Sequence, residues 1–221
     1  MSASDLPHDM SDLTPRQIAQ FFFDRPLDPP MDWWDLDEEG FGPGDNPVRY
    51  VSNLIQFFHS FAELAKPYEF QQVEEGVWGL ISHCSFSIDW IFREDRPEQA
   101  FEFLAASRPM FLEYLANIDF EAENGFFMWW DVVGGELELL RKHVDEALAA
   151  KLGDAHLAVL QEILDSPDDY CHSCALHGLG HLDSPKRPEV VDRFIERLKA
   201  KGELDEWDLN WIQECRDGTV M

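Results

Sequence analysis

The residues whose types and spacing could do chemistry lie close together near the C-terminal end. Cys171-His172-Ser173-Cys174 is followed by His177 and His181, a CxxC-x2-H-x3-H series that invites a zinc reading. On one helix, however, Cys171 to His181 spreads along about 15 Å of axis at 1.5 Å per residue. A single helix cannot wrap four such side chains round one tetrahedral ion. His177 and His181, at i and i+4, could share an ion only with ligands from elsewhere. The spacing therefore predicts small buried cysteines, and histidines packed and hydrogen-bonded at a helix seam. Cys171 or Cys174 with a nearby histidine also makes a thiol nucleophile on paper, but no nucleophile elbow or Gly-rich oxyanion turn marks an activated thiol. The chain has no P-loop, no GxGxxG after a strand, no HExxH and no GxSxG. We assign no catalytic residue, no metal ligand and no cofactor from the sequence, and we expect the protein not to be an enzyme.

A second candidate set is built for contact rather than reaction. Between Arg25 and Arg49 the chain holds Asp28, Asp32, Asp35, Asp37, Glu38, Glu39 and Asp45 with no base among them. Trp33, Trp34, Leu36 and Phe41 are interleaved with these acids. Two adjacent tryptophans either pin such a loop to the body of the protein or anchor a partner. The partner-binding set is Asp32, Trp33, Trp34, Asp35, Asp37, Glu38 and Glu39. It sits in a charge distribution of the same sign. The net charge is −27, with residues 1–140 carrying 27 acids against 7 bases and residues 141–221 carrying 17 against 10. Such a field repels nucleic acid and anionic lipid and speeds association with a basic protein, although it also serves solubility. Six of the 17 bases cluster at Lys186, Arg187, Arg193, Arg197, Lys199 and Lys201. In so acidic a chain they read as a salt-bridge face, within the molecule or across a homodimer, and not as a nucleic-acid site.

The elements that must position these groups are helical. With 45% apolar residues, 17 Phe and 8 Trp the chain needs an interior. No apolar run approaches the length of a membrane span, the start lacks a secretory signal pattern, and four cysteines are too few for a disulfide framework. A reducing cytoplasm is the expected setting. Residues 1–12 read as a mobile polar arm, and 13–221 as a single all-α domain. Within it, 13–150 forms an irregular helical bundle with an acidic loop at 25–47, and 151–221 forms helix pairs.

Thr14-Pro15 and Asn46-Pro47 are helix starts. Apolar residues recur at helical spacing over 51–64 and 69–92. Pro97 opens the next helix and Pro109 divides it. Residues 126–133 fit a helix better than a strand. Helices are then expected over Glu136–Leu152 and Asp154–Leu164. The next is capped by Asp168 or Asp169 and runs to Leu182, another follows Pro185 and ends at Gly202, and the last covers Leu204–Cys215.

The segment Ala175-Leu176-His177-Gly178-Leu179-Gly180-His181-Leu182-Asp183-Ser184-Pro185 resembles the second helix and following turn of short HEAT-like repeats, over roughly residues 154–200. That resemblance implies α-solenoid helix pairs, with Gly178 and Gly180 allowing close helix approach. The blocks Glu75 to Ile81, Phe127 to Asp131 and Ala175 to His181 together look like a bacterial family associated with toxin–immunity neighbourhoods. The implied function is an immunity protein that masks the active site of a basic toxin, a nuclease or another nucleic-acid-directed enzyme. The alternative is a HEAT-like protein–protein interaction scaffold without an inhibitory role.

Overall fold

A computed structural model describes residues 9–28, 42–82, 88–118, 125–204 and 208–220. Every regular element among them is helical, so the protein is all-α. The chain clusters into two compact units, Met1–Phe126 and Phe127–Met221. The division falls within the aromatic run that precedes Asp131, whereas the sequence placed an internal change of character at 150.

In the first unit, α1 (Pro15–Phe23) packs on α2 (Pro47–His59), α3 (Phe61–Ala65) and α4 (Phe70–Ser82). A 3-10 turn (Ile88–Ile91) leads to α5 (Glu98–Ala106). The start of α1 follows from its sequence: the Thr14 hydroxyl accepts from Gln17 N, the Gln17 side chain answers Thr14 N, and Pro15 fills the first position, where no N–H is needed. The Asn46 side chain caps α2 by accepting from Arg49 N, again with proline at the first position. The helix expected over 51–64 is broken at Ser60, and of the one expected over 69–92 the described residues form an α-helix over Phe70–Ser82 and a 3-10 turn over Ile88–Ile91. After Pro109 the chain widens into a π-helical turn, Met110–Tyr114, and tightens into a 3-10 turn, Leu115–Asn117. The core is aromatic. Phe23, Phe57, Phe58, Phe61 and Phe103 are all buried, with edge-to-face neighbours at 4.9–5.6 Å between ring centres, the arrangement the ring quadrupole favours. Residues 9–12, expected within a mobile arm, are held: Met10 is fully buried, its N–H donates to Gly42 O at 2.8 Å, and Asn53 Nδ2 donates to Ser11 O.

In the second unit the helices are α6 (Trp129–His143), α7 (Glu146–Leu164), α8 (Asp169–His181), α9 (Arg187–Lys201) and α10 (Leu209–Asp217). The break expected at 152–154 lies instead at Val144-Asp145. Val144 is extended and the Asp145 carboxylate caps α7 by accepting from Leu148 N, while Gly153 stays inside the helix. Phe127 and Met128, expected to be helical, are in turns before α6. Asp168 caps α8 through Cys171 N, and Gly202 closes α9 in the left-handed region at φ +75°, where glycine carries no Cβ penalty.

The packing order is regular. Helix α8 contacts α6, α7 and α10, while α9 contacts α10 and α7. First helix thus lies on first helix and second on second across the pairs α7/α8 and α9/α10.

Candidate functional site

Helix α8 is the most buried helix of the second unit and carries most of the groups singled out by spacing. Among its residues, Cys171, His172, Cys174, His177, Gly178 and Gly180 are all buried. Burial pushes the Cys171 and Cys174 thiols well above the usual thiol range, with Asp168 reinforcing the shift. Cys215 rises to about 12, again mainly through burial. A thiol whose anion is this disfavoured is a poor nucleophile at neutral pH. The His172 ring is engaged locally, with Nε2 2.7 Å from Ser166 O and Nδ1 3.2 Å from the Asp169 carboxylate. Cys171, Cys174 and His172 are thus buried and packed, as the spacing predicts for a helix seam.

His177 and His181 differ, because a third group from another helix meets them. His181 Nε2 stands 2.9 Å from Asp131 Oδ1, His177 Nε2 stands 3.5 Å from the same oxygen, and the two Nε2 atoms are 3.3 Å apart. The three side chains are unequally covered. His177 is 2% exposed, Asp131 23% and His181 31%, so the cluster is closed on the His177 side and open at His181.

The His177 ring is fixed twice. Its Nδ1 lies 3.2 Å from Phe127 O, and its face stacks on the Phe127 ring at 4.2 Å with an 11° tilt. A proton on Nδ1, donated to that carbonyl, leaves the Nε2 lone pair aimed at the cluster. Burial lowers the His177 pKa, outweighing the opposite pull of the Phe127 carbonyl and of Asp131.

One small residue sets this meeting. A Cβ on Gly178 would come within 2.8 Å of Trp130 Cβ and Cγ and within 2.9 Å of Leu160 Cδ2. Only a residue without Cβ lets α8 lie that close to the residue preceding Asp131. Gly180 is also at a close contact, its neighbours being Val220 and Cys215.

The expectation of no metal ligand rested on one helix being unable to surround an ion. Asp131 supplies a group from elsewhere, which the i, i+4 pair required. Its signal in the sequence is its isolation: Asp131 is the one acid in the apolar run 126–133.

The expected partner-binding residues, Asp32, Trp33, Trp34, Asp35, Asp37, Glu38 and Glu39, lie outside the described residues. Both flanks of that segment are described and tied down. Arg25 is buried, its Nε donating to Phe21 O at 2.6 Å with the guanidinium over the Phe21 ring, and Gln72 Nε2 donates to Arg25 O at 2.8 Å. At the other end Gly42 pairs with Asp9 in an isolated bridge and accepts from Met10 N.

The basic cluster of α9 is largely engaged within the chain. Lys186 meets Asp154, Arg197 meets Asp165, Lys199 meets Glu196, and Lys201 meets Glu203. The Arg187 side chain donates to the carbonyls of Leu182 and Arg216.

Among the described residues no helix is long and apolar enough to cross a membrane. Comparison with protein-family models, with curated proteins and with solved structures returned no match to this chain.

Proposed function

We propose that this protein is an acidic cytoplasmic binding protein of the immunity type, which binds a basic bacterial toxin domain and masks its active site. The observation that carries the reading is how the charge is disposed. Bases pair with the chain's own acids, as in Arg49 with Asp12, Arg197 with Asp165, and Arg216 with Asp192 and Asp217. The unmatched excess behind the net charge of −27 is carboxylate. Exposed pairs of this kind add little to stability. Their consequence lies in the field, which is left negative and favours encounter with a cationic surface.

The contact set is Asp32, Trp33, Trp34, Asp35, Asp37, Glu38 and Glu39. Carboxylates can occupy a site shaped for phosphates, and tryptophans are the strongest interface anchors. The tethered flanks at Arg25 and Gly42 support this assignment, because a segment fixed at both ends has less chain entropy to lose on docking than a free arm. Capture on tagged protein from its native cell lysate at low salt, followed by a salt gradient, tests the reading. We expect one basic protein at stoichiometric amounts, released as salt rises. Recovery of nothing, or of a neutral protein indifferent to salt, would overturn it.

A second reading, an interaction scaffold without an inhibitory role, is favoured by one observation: the pairs α7/α8 and α9/α10 stack first helix on first and second on second, as repeats do. Under that reading substitution across 32–39 leaves binding intact, and substitution at the exposed edge of α8 near His181 removes it.

A further inference from the structure

We propose that Asp131, His177 and His181 form a binding site for one divalent first-row transition ion of the Zn(II) class, at the seam of α6 and α8 in the second unit. The inference is independent of the immunity reading and rests on how three donor atoms converge.

The edges of the triangle are 2.9, 3.3 and 3.5 Å. A tetrahedral ion bonded at about 2.0–2.1 Å holds its ligands about 3.3 Å apart. The point equidistant from the three atoms in their plane lies about 1.9 Å from each. An ion at ordinary zinc distance therefore sits less than about 1 Å out of that plane, as it does above one face of a tetrahedron.

Asp131 Oδ1 adds a second observation. It is shut off from solvent, and among the described residues it accepts no well-aligned hydrogen bond, although both imidazole Nε2 atoms are within 3.5 Å. The two imidazoles hydrogen-bond one another, Nε2 to Nε2 at 3.3 Å, and neither ring N–H is aligned on that oxygen. A buried carboxylate oxygen left in this state costs free energy, and a cation between it and the rings removes that cost.

The surroundings are those of a ligand set. The Nδ1 of His177 faces a backbone carbonyl, the outer-shell contact that fixes the tautomer and orients the ring of a metal-bound histidine. Two imidazoles select a borderline transition ion over Mg(II) or Ca(II), which take oxygen donors. Two histidines and one carboxylate also suit Fe(II), so the donor set defines the ion class and competition ranks its members. Gly178 occupies the position after the first histidine, where HExxH metalloproteases carry their general base, and that base is missing here. The partial exposure of His181 leaves the remaining coordination position toward solvent, for water or for a side chain of another molecule.

The test is titration of chelator-treated, full-length protein with Zn(II) by calorimetry, in millimolar Mg(II) and moderate salt so that surface carboxylates are already occupied. We expect one Zn(II) per chain, with micromolar or tighter affinity. Asp131→Asn and His181→Gln, both at partly exposed positions, should each weaken binding by roughly 100-fold, and His143→Gln, on the exposed side of α6, should leave it unchanged. Co(II) in place of Zn(II) should give the strong visible absorption of a four-coordinate site in the wild type and in His143→Gln, and not in the two ligand variants. Circular dichroism identical to wild type ensures that loss of binding in the two ligand variants reports the site and not unfolding. Absence of a saturable Zn(II) event in Mg(II), or equal affinity in the double variant D131N/H181Q, would overturn the proposal. A complete block by Mg(II) would overturn it as well.

Discussion

His156 is the clearest single-residue problem in the second unit. It is 1% exposed, it lies against Trp130 at 5.1 Å between ring centres, and neither ring nitrogen has a hydrogen-bond partner among the described residues. Burial, aided by Arg141, drives its pKa down to about 3. The unfolded chain, with the histidine near its ordinary 6.5, binds the extra proton first as pH falls. Stability is therefore lost between about pH 6.5 and pH 3, at about 1.4 kcal/mol per pH unit. Urea unfolding at pH 7 and pH 5 should show the wild type losing about 2 kcal/mol more than His156→Phe over that interval. The carboxylates titrate in both proteins and cancel in the comparison. Equal losses in the two proteins would mean that the buried ring is protonated or hydrated.

At the scale of elements, close approach of helices decides the geometry. The Gly178 position meets Trp130 Cβ, which cannot swing away as the end of a flexible side chain can. Gly178→Ala should destabilise the protein by about 1–3 kcal/mol through overpacking. Gly135, exposed on α6 with nothing near its Cβ position, is the matched control. Gly135→Ala should stabilise by about 0.5–1 kcal/mol, since alanine loses less chain entropy in a helix. Thermal or chemical denaturation of the pair checks both signs.

The elements were largely readable in advance because their signals are local. Thr14-Pro15, Asn46-Pro47, Asp168 and Gly202 each state a helix end within a few residues. The break between α6 and α7 was misplaced because Gly153, a poor helix former in isolation, is held in the helix with its Cβ position 3.1 Å from the Arg141 guanidinium. The i, i+4 relation of His177 and His181 was equally local. Its partner was not, since Asp131 is 46 residues before His177 and reaches it only through the contact at Gly178. Such a meeting depends on the register of two helices, which periodicity does not encode.

At the scale of the whole molecule the dominant quantity is charge. A chain at −27 repels itself in the folded state, and the paired bases of α9 offset this only locally. Raising sodium chloride from 10 mM to 0.3 M should therefore raise the melting temperature, as screening shortens the reach of that repulsion to well under 10 Å. An unchanged or falling melting temperature would mean that the intramolecular ion pairs outweigh the excess.

The same charge carries the proposed function. The most direct test is the dissociation constant of the captured partner as a function of salt, for the wild type and for a variant with Asp32, Asp35, Asp37, Glu38 and Glu39 changed to Lys. The account predicts weakening with salt in the wild type and loss of binding in the variant, with the fold unchanged by circular dichroism. A dissociation constant flat in salt and indifferent to the five reversals would contradict it.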